Sequence, residues 1–210
     1  DFNLYLITDR NGSGGRPLLH VVEEALKGGV RAVQLREKDL NSRELLELAF
    51  AMRKLTGAYG ARLFINDRLD IALAVDADGV HLGEQSIPTD VARKVLGGDR
   101  LIGVSCHGPA GATAAQDAGA DFITYGPVFH TPSKAAYGPP VGLDSLRETA
   151  SRLRIPVFAL GGVNGGNLRE AVAAGARGIA LISAVIAARD PQKEADSLLS
   201  LLSSALPRQE

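Results

Sequence analysis

The chain has 210 residues, a formal net charge of −1 and an apolar fraction of 45%. This charge does not favour nucleic acid or an anionic membrane as a partner, and no apolar run approaches the ~18 residues of a membrane-spanning helix. The single cysteine, Cys106, excludes an intramolecular disulfide and a cysteine-rich metal site, and with no signal peptide or linker visible we expect one cytoplasmic domain over residues 1–210.

Eight short apolar segments, each bounded by Gly, Asp or Pro, recur along the chain. This pattern is typical of strands that are buried on both faces of a parallel sheet. In chain order, the predicted strands are Asn3 to Thr8, Ala32 to Glu37, Arg62 to Asp67, Gly79 to Gly83, Leu101 to Cys106, Asp121 to Gly126, Pro156 to Gly162 and Gly178 to Val185.

Helical patterns lie between these segments. The clearest runs from Ser42 to Gly60, with Ser42 as the expected N-cap and its leucines on one face. Thr89 is the expected cap of a second helix, which stops at a pair of glycines. Asn167 to Gly175 and Gln192 to Leu206 also follow an amphipathic helical period.

Eight strands that alternate with helices predict an α/β fold, the (β/α)8 TIM barrel. The alternative is an open doubly wound sheet. The strand count and the lack of a G-x-G-x-x-G motif after the first strand favour the barrel. The phrases AGAD and AGAR precede strands six and eight, and we interpret their glycines as helix ends in the left-handed conformation.

Polar residues stand at the C-terminal ends of most predicted strands, where barrels carry their chemistry. Burying such groups without partners is costly, so we expect them to face a ligand pocket. They are Gln34, Arg36, Glu37 and Lys38 after strand two, Asn66 and Asp67 after strand three, His81 in strand four, Ser105, Cys106 and His107 after strand five, Gly161 and Gly162 after strand seven, and Ile182 and Ser183 after strand eight.

The segment from Tyr125 to Val141 follows strand six and has no regular apolar period, which favours a functional loop. It carries Thr131, Ser133 and Lys134, two hydroxyls and an ammonium that suit a phosphorylated ligand. The alternative is a polar surface loop that binds nothing.

Two anion sites are predicted. Gly161 and Gly162 together with Ser183 fit the phosphate site that barrels build after strands seven and eight, although a tight turn that needs glycine is the alternative. Positive charge forms a second cluster that suits a pyrophosphate, next to an Asp67 carboxylate that can hold Mg²⁺. This cluster comprises Arg36, Lys38 and Lys134, with Asn66 alongside.

Simpler roles remain open for some of these residues. Arg36 and Glu37 can pair with other strand ends, and His81 and His107 can be hydrogen-bonded core residues. The sequence has no G-x-S-x-G, H-E-x-x-H or P-loop motif, and Cys106 fits a buried, inert thiol. Two anion pockets without a nucleophile suit chemistry in which pyrophosphate departs.

Six motifs, in order, cover nearly the whole chain: VQLREKDL, INDRLDIALAVDADGVHLG, GVSCH, GPVFHTPSK, PVFALGGV and LISAV. With these motifs the chain resembles thiamine phosphate synthases, whose superfamily also contains a thiazole tautomerase. The resemblance implies a (β/α)8 barrel that joins hydroxymethylpyrimidine diphosphate to a thiazole phosphate carboxylate. The products are thiamine monophosphate, pyrophosphate and CO2, and the reaction passes through a pyrimidine carbocation.

The resemblance also implies roles for the site residues. Those roles are diphosphate binding by Arg36, Lys38, Asn66 and Lys134, Mg²⁺ binding by Asp67, pyrimidine contacts from Gln34 and Ser105, thiazole substrate contacts from Thr131 and Ser133, and binding of the thiazole phosphate by Gly162, Ile182 and Ser183. Arg36, Lys38, Ser105 and Lys134 are the expected catalytic residues. The expected partners are small phosphorylated substrates, and a homo-oligomer remains open.

The sequence departs from the family pattern at the metal site. Synthases follow strand four with H-L-G-Q-x-D, whose Asp is the second Mg²⁺ ligand, whereas here Ser86 occupies that position. A neutral hydroxyl is a weaker ligand for Mg²⁺ than a carboxylate, and Glu84 is the nearest acidic substitute. A milder departure is His130, where Pro is common.

Three functions therefore remain open. A synthase with an altered metal site is ranked first, because the diphosphate cluster is intact. A thiazole tautomerase needs no metal, but it is expected to have a His where this chain has Pro127. A non-catalytic protein that binds thiazole or thiamine phosphates is ranked third.

Overall fold

The computed structural model describes residues 2–131 and 139–206, which fold into a closed barrel of parallel strands. Each strand pairs with the next, and the last pairs with the first, so Leu6 lies opposite both Val33 and Leu181. The predicted (β/α)8 class is confirmed, and closure excludes the open doubly wound sheet.

The strands match the predicted apolar segments closely. They are β1 Leu4–Ile7, β2 Ala32–Leu35, β3 Arg62–Asn66, β4 Gly79–Leu82, β5 Leu101–Cys106, β6 Phe122–Tyr125, β7 Val157–Leu160 and β8 Gly178–Leu181. The eighth strand is shorter than predicted. The chain turns at Ile182, where φ is −116° and ψ is −89°, and residues 183–186 are helical.

The helices lie outside the barrel. They are α1 Leu18–Lys27, α2 Ser42–Ala58, α3 Leu69–Ala74, α4 Thr89–Leu96, α5 Pro109–Asp117, α6 Gly142–Arg152, α7 Leu168–Ala173, α8 Ser183–Ile186 and α9 Pro191–Ala205, and a short 3-10 helix spans Asn11–Ser13. No helix in the described part of the chain is long and apolar enough to cross a membrane.

Two predicted helix caps are wrong. Helix α2 is capped by Asn41, whose side chain accepts from the backbone N–H groups of Arg43 and Glu44, while Glu44 accepts from the N–H of Asn41. This reciprocal pair satisfies two free donors and leaves Ser42 as the first helical residue. Thr89 is likewise the first residue of α4, and its side chain makes no cap bond.

The predicted helix-to-strand joint is confirmed. Gly119 and Gly175 have φ values of 96° and 98°, and the N–H of the next alanine donates to a carbonyl five residues back in the helix. Asp76 takes the same place before β4, with a φ of 50°. The repeated phrase thus marks one way of ending a helix with its carbonyls satisfied.

Inside the barrel, an aromatic layer fills the end where the strands begin. Its members are Phe2, Tyr5, Phe64, Phe122 and Phe158. Glycines make room for these rings on the neighbouring strands, because Phe64 lies opposite Gly79, Phe122 opposite Gly103 and Phe158 opposite Gly178. A Cβ on Gly79 would lie 2.9 Å from the Phe64 ring, and one on Gly178 would lie 2.6 Å from the Phe158 ring.

Candidate active site at the C-terminal end of the barrel

A polar layer lies above the aromatic layer, toward the strand ends. Side chains two residues apart share one face of a strand, so Gln34 follows Ala32 inward and Asn66 follows Phe64. The polar layer comprises Gln34, Asn66, His81, Ser105 and Thr124. The structure therefore brings the predicted polar groups of strands two to five to one end of the barrel.

His81 joins the two layers. Its Nδ1 lies 3.3 Å from the hydroxyl of Tyr5, in the aromatic layer. Its Nε2 lies 3.0 Å from Ser105 Oγ and 3.3 Å from Thr124 Oγ1. The ring is 2% exposed, so the expectation that His81 is a hydrogen-bonded core residue is confirmed.

The ionisable groups of this network are neutral. Burial lowers the pKa of His81 to about 3, and Arg36 lowers it further while Asp67 opposes the shift. Burial also raises the pKa of Tyr5 well above its usual value, so its hydroxyl keeps its proton. Asp67 lies beside His81, because the Asp67 N–H donates to the His81 carbonyl at 3.0 Å and Asn66 is opposite His81 in the strand pair.

Gln34 lies in the polar layer with a free donor. Its side-chain nitrogen is buried and has no hydrogen-bond partner among residues 2–131 and 139–206. An unpaired buried amide costs about 1–3 kcal/mol, so such a group calls for an explanation. A bound ligand that accepts this hydrogen bond would supply one.

Asp67, the predicted metal ligand, is hydrogen-bonded to two neighbouring side chains. Asn66 Nδ2 donates to Asp67 Oδ2 at 2.7 Å, and the Ser86 hydroxyl donates to Asp67 Oδ1. The Gly83 N–H fixes that hydroxyl with a 2.6 Å bond. Asp67 has a φ of 61°, an uncommon conformation for a residue other than glycine. The Ser86 loop therefore lies at Asp67, as the sequence position implies.

Replacement of the missing ligand by Glu84 stays a prediction. Its side chain is exposed, and no cluster of three or more His, Cys, Asp or Glu side chains suited to a metal occurs in the described part of the chain. The protein supplies one carboxylate at this position, with a hydroxyl hydrogen-bonded to it.

Hydrogen bonds to the chain after β1 hold the loop after β2 in place. Glu37 is 5% exposed, and both its oxygens accept from the Arg10 N–H, at 3.2 and 3.1 Å. Burial raises the pKa of Glu37, although these hydrogen bonds oppose the shift. The Arg36 N–H donates to Thr8 Oγ1 at 2.9 Å. Glu37 thus pairs with another strand end, which confirms one of its simpler roles.

Arg36 and Lys38 flank this buried carboxylate, and neither forms an ion pair within the described ranges. Lys38 is exposed and Arg36 is half-buried. The two cations can therefore engage a ligand without giving up an existing partner.

The glycines after β7 are required by their own backbone. Gly161 and Gly162 have φ values of 88° and 67°, and a Cβ on Gly162 would lie 2.8 Å from Phe129. The Phe129 N–H donates to the Gly161 carbonyl at 3.0 Å. The tight-turn explanation therefore holds, whereas phosphate binding by Gly162 stays a prediction.

At the end of β8, Ile182 packs against the inner cluster and Ser183 begins α8. Both lie beside the end of β1, which pairs with β8. Thr131 is half-buried at the start of the loop after β6, whereas Ser133 and Lys134 lie outside the described residues. His130 is exposed.

Cys106 and His107, the remaining candidates at the end of β5, differ in burial. Cys106 is buried, which raises its pKa to about 12 and confirms the inert thiol. His107 is exposed, so its placement in the core is wrong, although its ring bonds to the Gly126 carbonyl.

Four residues of the site were missed from the sequence: Tyr5, Thr8, Arg10 and Thr124. Thr8 and Arg10 stand at the end of the first predicted strand. The rule applied to the other strand ends would have found them.

Comparison with known proteins gives a consistent result. A sequence profile described as Thiamine monophosphate synthase matches residues 4–185. A Geobacter sulfurreducens protein, provisionally named a thiamine-phosphate synthase, is 67% identical over 202 residues, covering 96% of this chain and 95% of the relative. The thiamine-phosphate synthase of Roseiflexus sp. strain RS-1 is 44% identical over 203 residues, covering 97% and 86%.

A solved structure agrees. The thiamine phosphate pyrophosphorylase from Pyrococcus furiosus superposes with a TM-score of 0.90 at 40% identity, and 98% of each chain is covered.

Proposed function

Because the chain belongs to the thiamine monophosphate synthase family and acts as a thiamine-phosphate synthase, a transferase, we propose that the polar end of its barrel is the synthase active site. The observation that carries this proposal is the position of Asp67, Asn66 and Ser86 beside His81, whose carbonyl accepts a hydrogen bond from the Asp67 N–H. A diphosphate group and a pyrimidine ring would then meet above His81.

Arg36, Lys38 and Asn66 would bind the diphosphate of the pyrimidine substrate, with Lys134 as a further contact. Arg36 and Lys38 form no ion pair among the described residues, and they are the sequence neighbours of the anchored Glu37. They can therefore neutralise charge as pyrophosphate departs. Lys38 is exposed and can reach an incoming anion. The protein thus stabilises the leaving group and needs no nucleophile.

The residues present fit Mg²⁺ when substrate oxygens complete its coordination. Mg²⁺ prefers oxygen ligands and is bound in many enzymes through one or two carboxylates together with substrate phosphates. Asp67 would supply the carboxylate, and Ser86 places a hydroxyl oxygen against it. When bound, the ion would neutralise charge on the departing pyrophosphate.

Gln34 and Ser105 would bind the pyrimidine ring. The buried, unpaired side-chain nitrogen of Gln34 supports this role, since a ring nitrogen can accept from it. Ser105 is partly exposed on the same layer. The ring would be held flat above His81 while the bond to pyrophosphate breaks.

The thiazole substrate would bind opposite, at the ends of β6, β7 and β8. Thr131 and Ser133 would contact it, and its phosphate would lie against Gly162, Ile182 and Ser183. The positions of these residues support this placement, since Gly162 and Ile182 directly follow the C-terminal ends of β7 and β8 and Ser183 begins α8. The thiazole nitrogen would then face the carbon that pyrophosphate leaves.

We also propose that residues 1–210 form one domain that works in the cytoplasm on small phosphorylated substrates. The closed barrel built from the described residues supports the single domain. Light scattering after size exclusion would give the oligomeric state.

The decisive experiment assays purified protein with both substrates, with Mg²⁺ or with a chelator, and measures thiamine monophosphate and pyrophosphate. We expect both products in equal amounts, and only with Mg²⁺. Pyrophosphate release that is indifferent to the chelator would overturn the metal assignment. Failure of Arg36→Ala to weaken binding of the pyrimidine diphosphate would overturn the placement of the site.

A further inference from the structure

We propose that Tyr5 and His81 are positioning residues that orient the Ser105 hydroxyl, so that Ser105 donates a hydrogen bond to a ring nitrogen of the pyrimidine substrate. The inference rests on the proposed function for the identity of the ligand. The orientation itself is a property of the free protein.

Tyr5 is held in one position. Its ring is fully buried and packs edge-on against Phe64 and Phe122, with ring centroids 5.3 Å apart in both cases. The single described partner of its hydroxyl is His81 Nδ1, at 3.3 Å. The hydroxyl therefore cannot turn to another acceptor.

This fixes the tautomer of His81. A neutral imidazole has one donor and one acceptor nitrogen. If Nδ1 carried the hydrogen, the buried Tyr5 O–H would have no described acceptor, and leaving a buried donor unpaired is unfavourable. The favoured arrangement therefore has Tyr5 donating to Nδ1, with the hydrogen on Nε2.

The hydrogen on Nε2 then points at the polar layer. Ser105 Oγ lies 3.0 Å from Nε2 and Thr124 Oγ1 lies 3.3 Å from it. Ser105 accepts from His81, so its own hydrogen is directed elsewhere. In the free protein Thr124 can accept it across 3.3 Å.

A pyrimidine ring nitrogen is an acceptor without a hydrogen, so it can pair with a hydroxyl that is set to donate. With the tautomer reversed, Ser105 would donate to His81 Nε2 and would offer the ring only lone pairs. The relay from Tyr5 to His81 would thus select a ligand with an acceptor at this point and disfavour one with a donor.

The first test is nitrogen NMR of ¹⁵N-histidine-labelled free protein. The chain has four histidines, and the His81→Gln variant identifies the His81 signals by their loss. We expect the hydrogen of His81 on Nε2 in the wild type and a weaker preference for Nε2 in Tyr5→Phe, because that variant removes the donor to Nδ1. A hydrogen on Nδ1 in the wild type would overturn the relay whatever the protein binds.

The second test is steady-state kinetics of Tyr5→Phe. One hydrogen bond of about 1 kcal/mol corresponds to about fivefold, so we expect the KM for the pyrimidine diphosphate to rise about fivefold. The KM for the thiazole phosphate should not change. A uniform fall in kcat with both KM values unchanged would contradict positioning and indicate a general loss of structure.

Tyr125→Phe is the matched control. Tyr125 is fully buried like Tyr5, and its hydroxyl also makes one bond, 2.6 Å to Ser145 Oγ on α6, away from the polar layer. It should lose similar stability and keep both KM values. Equal effects of the two variants on the pyrimidine KM would overturn the inference.

The Ser105→Ala variant distinguishes failure of this inference from failure of the proposed function. If Ser105→Ala leaves the pyrimidine KM unchanged, the ligand assignment of Ser105 fails. If Ser105→Ala raises that KM but Tyr5→Phe does not, the relay fails and the assignment stands. His81→Gln, which can donate at the Nε2 position, should restore part of the affinity that His81→Leu loses.

Discussion

The aromatic layer and the polar layer occupy the same barrel interior and follow the same two-residue period, yet their composition is opposite. Phe64 and Asn66 belong to one strand and point to the same side, the first as one of five packed rings and the second toward Asp67. In the lower layer Phe64, Phe122 and Phe158 each lie opposite a glycine on the neighbouring strand. In the upper layer polar groups form chains of hydrogen bonds, and Gln34 keeps a free donor.

This contrast separates what holds the barrel closed from what prepares it for a ligand. Burial of aromatic surface stabilises the lower layer. Stability alone would favour apolar side chains in the upper layer as well, so its polar groups indicate a role in binding a ligand. Substitutions of the phenylalanines in the aromatic layer should therefore change stability, whereas substitutions in the polar layer, and of the Tyr5 hydroxyl that reaches it, should change activity. The predictions below test that division, starting with the largest effect.

Phe64→Ala should lower the free energy of unfolding by about 3–5 kcal/mol, because it leaves a cavity in the aromatic layer. Urea denaturation measures this. Phe50→Ala is the control, since Phe50 is 52% exposed on α2 and its loss should cost less than about 0.5 kcal/mol. Equal losses of unfolding free energy in the two variants would mean that the aromatic layer does not stabilise the barrel more than an exposed side chain does.

Lys38→Ala should reduce kcat/KM about 100-fold, which corresponds to about 2.7 kcal/mol. The reason is that the variant lacks the positive charge that stabilises the departing pyrophosphate. Lys38 is exposed, so the midpoint of unfolding should stay within error. Lys54→Ala, at an exposed lysine on α2, is the control and should leave turnover unchanged. Normal turnover in Lys38→Ala would remove Lys38 from the site.

Ser86→Asp should raise the affinity for Mg²⁺ in the presence of pyrophosphate about tenfold, or about 1.4 kcal/mol, by restoring a second carboxylate. Without metal, the new carboxylate would repel Asp67 and lower the melting temperature, and Mg²⁺ should reverse that loss. Calorimetric titration and thermal melts with and without chelator measure both effects. Ser86→Asn, which adds no charge, is the control and should show neither.

The free energy of unfolding should decrease at acid pH because of His81, which lies between the two layers. Its pKa is about 3 in the folded protein and about 6.5 in the unfolded chain, so the unfolded chain takes up the proton first as the pH falls. Its contribution is complete above about pH 6.5 and is lost toward pH 3. Between pH 6 and pH 5 we expect a loss of about 1 kcal/mol.

Urea denaturation at pH 6 and pH 5 measures this loss, and in His81→Gln that part of the slope should vanish. A slope that survives the substitution would assign the acid sensitivity to other groups.

Most of the fold could be predicted because the information was local. Apolar runs bounded by Gly, Asp or Pro indicated all eight strands, and the AGAD and AGAR phrases indicated helix ends. The cap of α2 was assigned one residue late because Asn41 and Ser42 both suit that position. Only the reciprocal bond to Glu44 distinguishes them.

The site was predicted in part, for a different reason. The strand-end rule located polar residues such as Gln34 and Ser105. It cannot show that Tyr5 meets His81, because 76 residues separate them and strand closure brings them together. The nearness of Ser86 to Asp67 followed from the family resemblance, since nothing local links the two.

The pairing of phenylalanine with glycine across strands has a consequence for how this barrel can change over time. A methyl added to Gly103 would overlap the Phe122 ring, and the same holds for Gly79 with Phe64 and Gly178 with Phe158. Neither member of a pair can vary alone, because enlarging one overpacks the layer and shrinking the other empties it. At Gly79 and Gly178 the added methyl would also overlap a backbone carbonyl group, that of Leu101 or Asn3, so a smaller ring on the neighbouring strand would not make room for it. These glycines should therefore stay fixed while the sequence changes, and the lower layer should vary only by exchanges among its large side chains that keep their total volume.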